Sequence, residues 1–240
     1  MPNVPASLTY YDNAENAGRY HSQTGFDPAR KQEMLHVTLH LLMDLVPAGG
    51  SLLELGCGSG LFTAMLSASG HFGAIRATDG AEAMLAIARP ETTNTSTLIA
   101  FESLDFAQPN WANRCQTAPF DAVTSSMALH HAEDRQQLFR QVYEVLNPGG
   151  AFVFADHMAG SSSRVDRLIG RERGRVKMGA EATQEDLESF VEADGRSQKK
   201  QGNHCQSVTD YLGYLGAAGF VGVDCLWRSY WLAVFVAQKP

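Results

Sequence analysis

The sequence predicts an α/β protein: a doubly wound, mostly parallel sheet of seven strands with the last strand antiparallel, and a helical insertion after strand five. Three observations predict it. Leu52-Leu53-Glu54-Leu55 reads as a buried strand that enters the glycine-dense turn Gly56-Cys57-Gly58-Ser59-Gly60, and Leu61, Phe62, Met65 and Leu66 then fall on one helical face. Short apolar runs alternate with helical patterns as far as Ala155, as parallel strands joined by crossover helices do. Near the end, 220–227 and 230–237 are two apolar runs joined at Arg228-Ser229, a connection short enough to require an antiparallel pair.

The chain has 240 residues, enough for one good core, and reads as a single domain over 1–240. Within it 1–46 form an N-terminal arm, or lid, and a helix, and 160–206 form the insertion, which caps the acceptor side. Hydrophobic content of 44% against 19% charge describes a globular chain, not a disordered one. The opening residues are polar and broken by Pro2, Pro5 and Gly18, so neither a secretion signal nor a membrane span is expected. Cys57, Cys115, Cys205 and Cys225 show no C-x-x-C pair and no metal-ligand spacing, which predicts free thiols, a cytoplasmic protein and no metal. A net charge of −7 argues against a nucleic-acid partner. The insertion departs from that balance: 161–204 hold nine of the 19 Lys and Arg but only eight of the 26 acids. Arg164, Arg167, Arg171 and Arg175 there either clamp a carboxylate or phosphate or form a plain solvated face.

Gly56, Gly58 and Gly60 permit positive φ and close approach of a ligand to bare backbone, and the helix behind them offers unpaired N–H groups. Their G-x-G-x-G spacing is not the G-x-G-x-x-G of a dinucleotide fold, and no Lys-Ser or Lys-Thr follows to make a P-loop. Glu54 inside the strand would be costly to bury without a partner. Glu54-Leu55-Gly56-Cys57-Gly58-Ser59-Gly60 resembles the first motif of the class I S-adenosylmethionine-dependent methyltransferases, acidic-x-Gly-x-Gly-x-Gly, at each fixed position. Cys57 is expected in that turn as a small residue rather than as a nucleophile.

In chain order, the arm carries Tyr10, Tyr11, Tyr20, His21 and Phe26, and a helix with a broad apolar face starts at Pro28 and ends at Pro47-Ala48-Gly49-Gly50. The resemblance implies that such an arm covers the cofactor and sets a tyrosine beside the sulfonium. Tyr11 and Tyr20 fit by position, and anchoring of the arm on the core is the competing reading. A second strand over 74–79 ends at Asp79, 19 residues beyond Gly60, where a carboxylate can accept from two ribose hydroxyls. Gly80 follows, and Met84 offers a soft surface to an adenine ring. Beyond the polar stretch 89–96, a third strand over 97–101 precedes Asp105 and Phe106. The resemblance gives these two the adenine amino group and ring.

Phe120 to Ser126 is the fourth strand, leaving through Met127-Ala128-Leu129-His130-His131. That exit resembles the family's loop along the methionine half of the cofactor, which implies contacts from Ser125, Ser126 and Met127. His130 and His131 are read as fixing the loop rather than as bases. A helix through Leu138 and Val142 stops at Asn147-Pro148-Gly149-Gly150. Strand five, 151–155, then delivers Asp156 and His157, and His157 is the candidate base or hydrogen-bond partner facing an acceptor, with Tyr20 beside it as a second catalytic candidate. In the insertion, Thr183 and Asp186 mark a helix start and Gly195 its stop. Ser207 caps the last helix. Trp227 and Tyr230 are assigned to packing rather than to the pocket.

The resemblance covers about 50–160 and 207–238. It implies S-adenosylmethionine as cofactor, and the reaction expected is in-line methyl transfer to oxygen or nitrogen of a small molecule, giving S-adenosylhomocysteine. The missing Asp-Pro-Pro-Tyr, Asn-Pro-Pro-Tyr and Pro-Cys motifs argue against two kinds of nucleobase methylation. Two other functions stay compatible. One is a lyase or cyclase in which the cofactor's own amino group attacks its γ-carbon, giving azetidine-2-carboxylate and methylthioadenosine. The other is noncatalytic cofactor binding. The sequence assigns no oligomeric state.

Overall fold

The computed structural model describes residues 6–22, 27–91, 96–115 and 119–240; Pro2, Pro5 and Phe26 lie outside them. Two short helices come first, α1 (Ala6–Tyr11) and α2 (Ala14–Ser22), then α3 (Pro28–Leu45). Asp27 caps α3 by accepting from the Arg30 amide, and Pro28 stands at the first helical position, where a missing N–H costs nothing. The alternating body is β1 (Ser51–Leu55), α4 (Leu61–Ala68), β2 (Ala74–Asp79), α5 (Glu82–Glu91), β3 (Leu98–Ser103), β4 (Phe120–Ser126), α6 (Arg135–Val145) and β5 (Leu146–His157). After it come α7 (Ser163–Met178), α8 (Gln184–Lys200), α9 (Val208–Ala217), β6 (Val221–Ser229) and β7 (Leu232–Gln238).

The seven strands lie in the order β3-β2-β1-β4-β5-β7-β6, and β7 runs antiparallel to both its neighbours. The order reverses direction between β1 and β4, so the loops after these two strands diverge and leave a crevice at the carboxyl edge. One face of the sheet is covered by α3, α4 and α5 through Met34, Leu42, Phe62, Leu66 and Leu85. The other is covered by α6 and α9 through Phe139, Val142, Tyr211 and Leu215. Parallel strands covered on both faces read as continuous apolar runs, which is why β1 and β5 stood out in the sequence.

Several expected boundaries move, among them the tail turn, which falls at Tyr230-Trp231 rather than Arg228-Ser229 because β6 continues to Ser229. Strand five is not 151–155 but Leu146–His157, because the Asn147-Pro148-Gly149-Gly150 turn is itself paired: the Gly149 amide donates to the Lys239 carbonyl at 2.9 Å. Strand three shifts to Leu98–Ser103, pairing in register with β2. The insertion's second helix does not stop at Gly195; it continues to Lys200, since a glycine inside a helix costs only about 1 kcal/mol and packing against α7 outweighs that. Its start is as expected, a reciprocal capping box between Thr183 and Asp186.

Candidate active site

A cleft of about 470 Å³ opens at the carboxyl edge of the strands, between the β1 and β4 exits and under α1 and α2. Its floor is the glycine turn. Gly56, Gly58 and Gly60 all have positive φ, at 69°, 56° and 85°. A side chain at Gly56 would collide with Ala128 Cβ, so backbone lies bare toward the cleft. Gly60 precedes α4 with no side-chain cap, leaving the first-turn N–H groups free for a ligand.

Three carboxylates stand around this turn. Glu54 is buried, and Thr63 Oγ1 donates to its Oε2 at 2.6 Å. Burial pushes its carboxyl up to about 7 against the pull of that bond, with the Asp79 charge adding. Asp79 accepts from the Gly58 amide at 2.8 Å and the Ala81 amide at 2.9 Å. Burial still raises it, and the charges of Asp105 and Asp12 act in the same direction. Asp105 is held by the Ala107 amide at 2.9 Å and Gln108 at 2.8 Å. An ionised carboxylate has about four acceptor positions, so Asp79 and Asp105 each keep capacity for a ligand's donors. Cys57, Gly80, Met84 and Phe106 complete this wall, and burial raises the Cys57 thiol well above its ordinary value, which suits a small filler better than a nucleophile.

The roof is built from α1 and α2. Leu8 packs onto Gly80, and Asp12 Oδ1 accepts from the Ala83 amide at 3.3 Å, tying α1 to α5. Tyr11 meets Tyr20 edge to face at 5.6 Å, and Tyr20 lies 4.0 Å from where a Cβ on Gly58 would stand. Burial and the Asp79 charge raise the phenols of both tyrosines, so each remains protonated and serves as a donor or a ring face, not as a base.

At the far end stand three histidines. His130 and His131 have ring centroids 4.2 Å apart, and His157 stacks on His130 at 5.1 Å. Burial, then the His130 charge, drives His131 down to about 3 and holds His157 well below the ordinary imidazole value. Both keep a buried Nδ1 with no hydrogen-bond partner among the described residues. His130 instead bonds through Nδ1 to Asp156 Oδ1 at 2.5 Å.

The methyltransferase domain family matches residues 53–154, the segment from β1 through β5 that builds the floor and most of both walls. Over that segment the chain is similar to the methyltransferases that its glycine motif resembles. Among relatives, a methyltransferase of Oceanobacillus iheyensis is 28% identical over 70% of this chain and 73% of its own. The trans-aconitate 2-methyltransferase of Variovorax paradoxus is 32% identical, over 53% of this chain and 47% of its own length. Magnesium protoporphyrin IX methyltransferase from Synechocystis, solved with bound S-adenosylhomocysteine, superposes with a TM-score of 0.62 over 97% of this chain and 98% of its own. At 14% identity that likeness shows the fold.

The expected site residues Tyr11, Tyr20, Glu54, Gly56, Cys57, Gly58, Asp79, Gly80, Met84, Asp105, Phe106, Ser126, Met127 and His157 all line one cleft. Ser125 does not. It points into the sheet, where its hydroxyl donates to the Leu55 carbonyl at 2.7 Å. Met127 reaches the cleft through a positive φ of 61°, a strained conformation held by its amide donating to Ala155 O at 2.9 Å. Of the two readings of the arginine face, the pairing favours the plain one: Arg167 and Arg171 pair with Glu188 of α8 and Arg175 with Glu172 within α7, while no ion pair is seen at Arg164 among the described residues. Lys31, Trp231 and Asn203 line the cleft unannounced by any motif. A lysine on the apolar α3 pattern and a tryptophan in the β6–β7 turn were the only signals, and Trp231, not Trp227 or Tyr230, is the one turned inward.

Proposed function

We propose that this protein is an S-adenosylmethionine-dependent methyltransferase that acts on a small-molecule acceptor, at oxygen or nitrogen, and releases S-adenosylhomocysteine. The observation that carries the reading is the division of one cleft into a carboxylate-and-glycine end and an end of tyrosine, histidine and tryptophan rings. Asp79 would hold the ribose hydroxyls, Asp105 and Phe106 the adenine, Met84 its ring face, and Glu54 with the turn amides the amino-acid end. Ser126 and Met127 would flank the methionine half, and Tyr20 and Tyr11 would present ring faces to a cationic sulfur. The cofactor supplies an already activated methyl group. The chain therefore contributes alignment, water exclusion by α1 and α2, and a place for the acceptor's proton. Trans-aconitate and magnesium protoporphyrin IX, acceptors in the names of two relatives, are small molecules, which supports the acceptor class. Four free thiols, and no described helix long and apolar enough to cross a membrane, fit action in the cytoplasm.

The test is calorimetry with S-adenosylmethionine and S-adenosylhomocysteine, followed by release of S-adenosylhomocysteine across alcohol, phenol, carboxylate and amine acceptors. Binding of neither ligand removes the proposal. The tyrosine roof over Gly58 favours one second reading, intramolecular displacement on the cofactor, and incubation with cofactor alone then yields methylthioadenosine. Saturable binding with neither product indicates a noncatalytic role.

A further inference from the structure

The three cleft histidines are made unequal by what stands behind them. His131 and His157 have no carboxylate bonded to them among the described residues, and their surroundings keep them neutral. His130 is backed by Asp156, which is fully enclosed and also accepts from the Tyr211 hydroxyl at 2.8 Å. Arg135 in turn reaches Tyr211 Oη with Nε at 3.2 Å and the His204 carbonyl with Nη2 at 2.8 Å. Burial alone would raise the Asp156 carboxyl, yet His130, Arg135 and Tyr211 together hold it below the ordinary carboxylate value. An ionised Asp156 can only accept, so it holds the Nδ1–H of His130, and whenever the ring is in its base form the lone pair is on Nε2. Nε2 has no hydrogen-bond partner among the described residues, and His130 lines the cleft.

The rest of that end narrows what His130 faces. Ring contacts run without a break from Lys31 over Tyr20 at 5.7 Å, through Tyr20 to Tyr11, and from Tyr11 to His131 at 5.8 Å. Trp231 stands in the same cleft, in the turn beside Leu232, the strand partner of His157. An ammonium acceptor would meet Lys31 and find no available carboxylate there, since Asp27 is tied to Arg30 and Asp156 lies behind His130. An alkyl alcohol gives up its proton to an imidazole only in concert with bond formation, and a carboxylic acid loses it unaided. A phenol, which ionises near pH 10 in the tyrosine reference, is within an imidazole's reach and presents a flat ring to an aromatic rim.

We infer that the acceptor is a phenolic hydroxyl and that His130, oriented by Asp156, is the base that takes its proton. The inference rests on the methyl-transfer reading above. The O–H proton moves to His130 Nε2, and the oxygen's electron pair forms the bond to the methyl carbon. The carbon–sulfur pair remains on sulfur, and the imidazolium later loses its proton to water. His130 is the catalytic residue and Asp156 a positioning residue.

The test uses the full chain saturated with S-adenosylhomocysteine and titrated with 4-nitrophenol, whose absorbance separates phenol from phenolate. In the native protein the bound probe should ionise at a pH lower by about one unit or more than in His130→Gln, the size of effect one stabilising charge partner produces. Asp156→Asn should lose most of that shift while its affinity for S-adenosylhomocysteine changes less than about threefold, a difference under roughly 0.7 kcal/mol. Should Asp156→Asn not fold, His130→Gln decides alone. If the loaded protein does not bind the probe, or ionises it equally in His130→Gln, the inference is overturned. Failure to bind S-adenosylhomocysteine at all overturns the methyl-transfer reading instead.

Discussion

Glu54 and Asp156 are both enclosed carboxylates at the carboxyl edge of the same sheet, two strands apart, yet their surroundings push them in opposite directions. Glu54 has one neutral hydroxyl donor and the Asp79 charge nearby, and it is raised to about 7. Asp156 has an imidazole, a phenol and a guanidinium within its network, and it is lowered. A buried acid left short of donors is poised for a ligand that brings them, whereas one already supplied acts on a neighbouring side chain. The glycine end thus reads as a site awaiting a polyhydroxylated, cationic ligand, and the histidine end as machinery assembled in advance.

The comparison breaks first at Asp156. Replacing it by Ala removes one partner of a buried pair and should cost about 3–5 kcal/mol in urea unfolding; a near-native midpoint would show that the network is not closed. Glu54 should next give the pH signature of a raised acid. Its stabilising contribution is complete below the unfolded carboxyl value near 4.5 and is lost as pH rises through about 7, a change of about 3 kcal/mol at one pKa unit per 1.36 kcal/mol. Unfolding free energies at pH 5 and pH 8 for native protein and Glu54→Gln measure it, and the variant should lack that slope. Asp156 contributes with the opposite sign, stabilising above the unfolded aspartate value and fading as pH falls through its lowered folded one.

Asp79→Ala should weaken S-adenosylhomocysteine by about 30- to 100-fold in calorimetry, some 2–3 kcal/mol for hydrogen bonds to a charged acceptor. An unchanged affinity would remove the ribose assignment. The smallest effect is expected at the insertion, where Arg167→Ala should leave both the melting temperature and cofactor affinity near native. Its partner Glu188 keeps Arg171, so a large loss there would restore an anion-binding role for α7.

Much of the glycine end was legible because its parts are local. Each of Glu54, Asp79 and Asp105 sits at or just after a strand read from its own apolar run, and the glycines announce their own positive φ. Ser125 was misplaced by a single residue: along β4, side chains alternate between directions, and the cleft begins at Ser126. The arginine face was ambiguous because Glu188 lies 17 to 21 residues away, and only the packing of α8 on α7 brings it within reach.

From the order of residues alone came the strand–turn–helix units, the bare backbone at Gly56, the helix starts at Thr183 and Ser207 and the antiparallel tail, since each follows from dihedral preference and apolar spacing among near neighbours. Pairing His130 with Asp156, 26 positions on, and Asp156 with Tyr211, another 55 on, required β4 beside β5 and α9 packed across them. Which acids are hungry for a ligand and which are already answered was likewise decided in three dimensions, because a carboxylate's charge state is set by how far water is shut out and which donors face it.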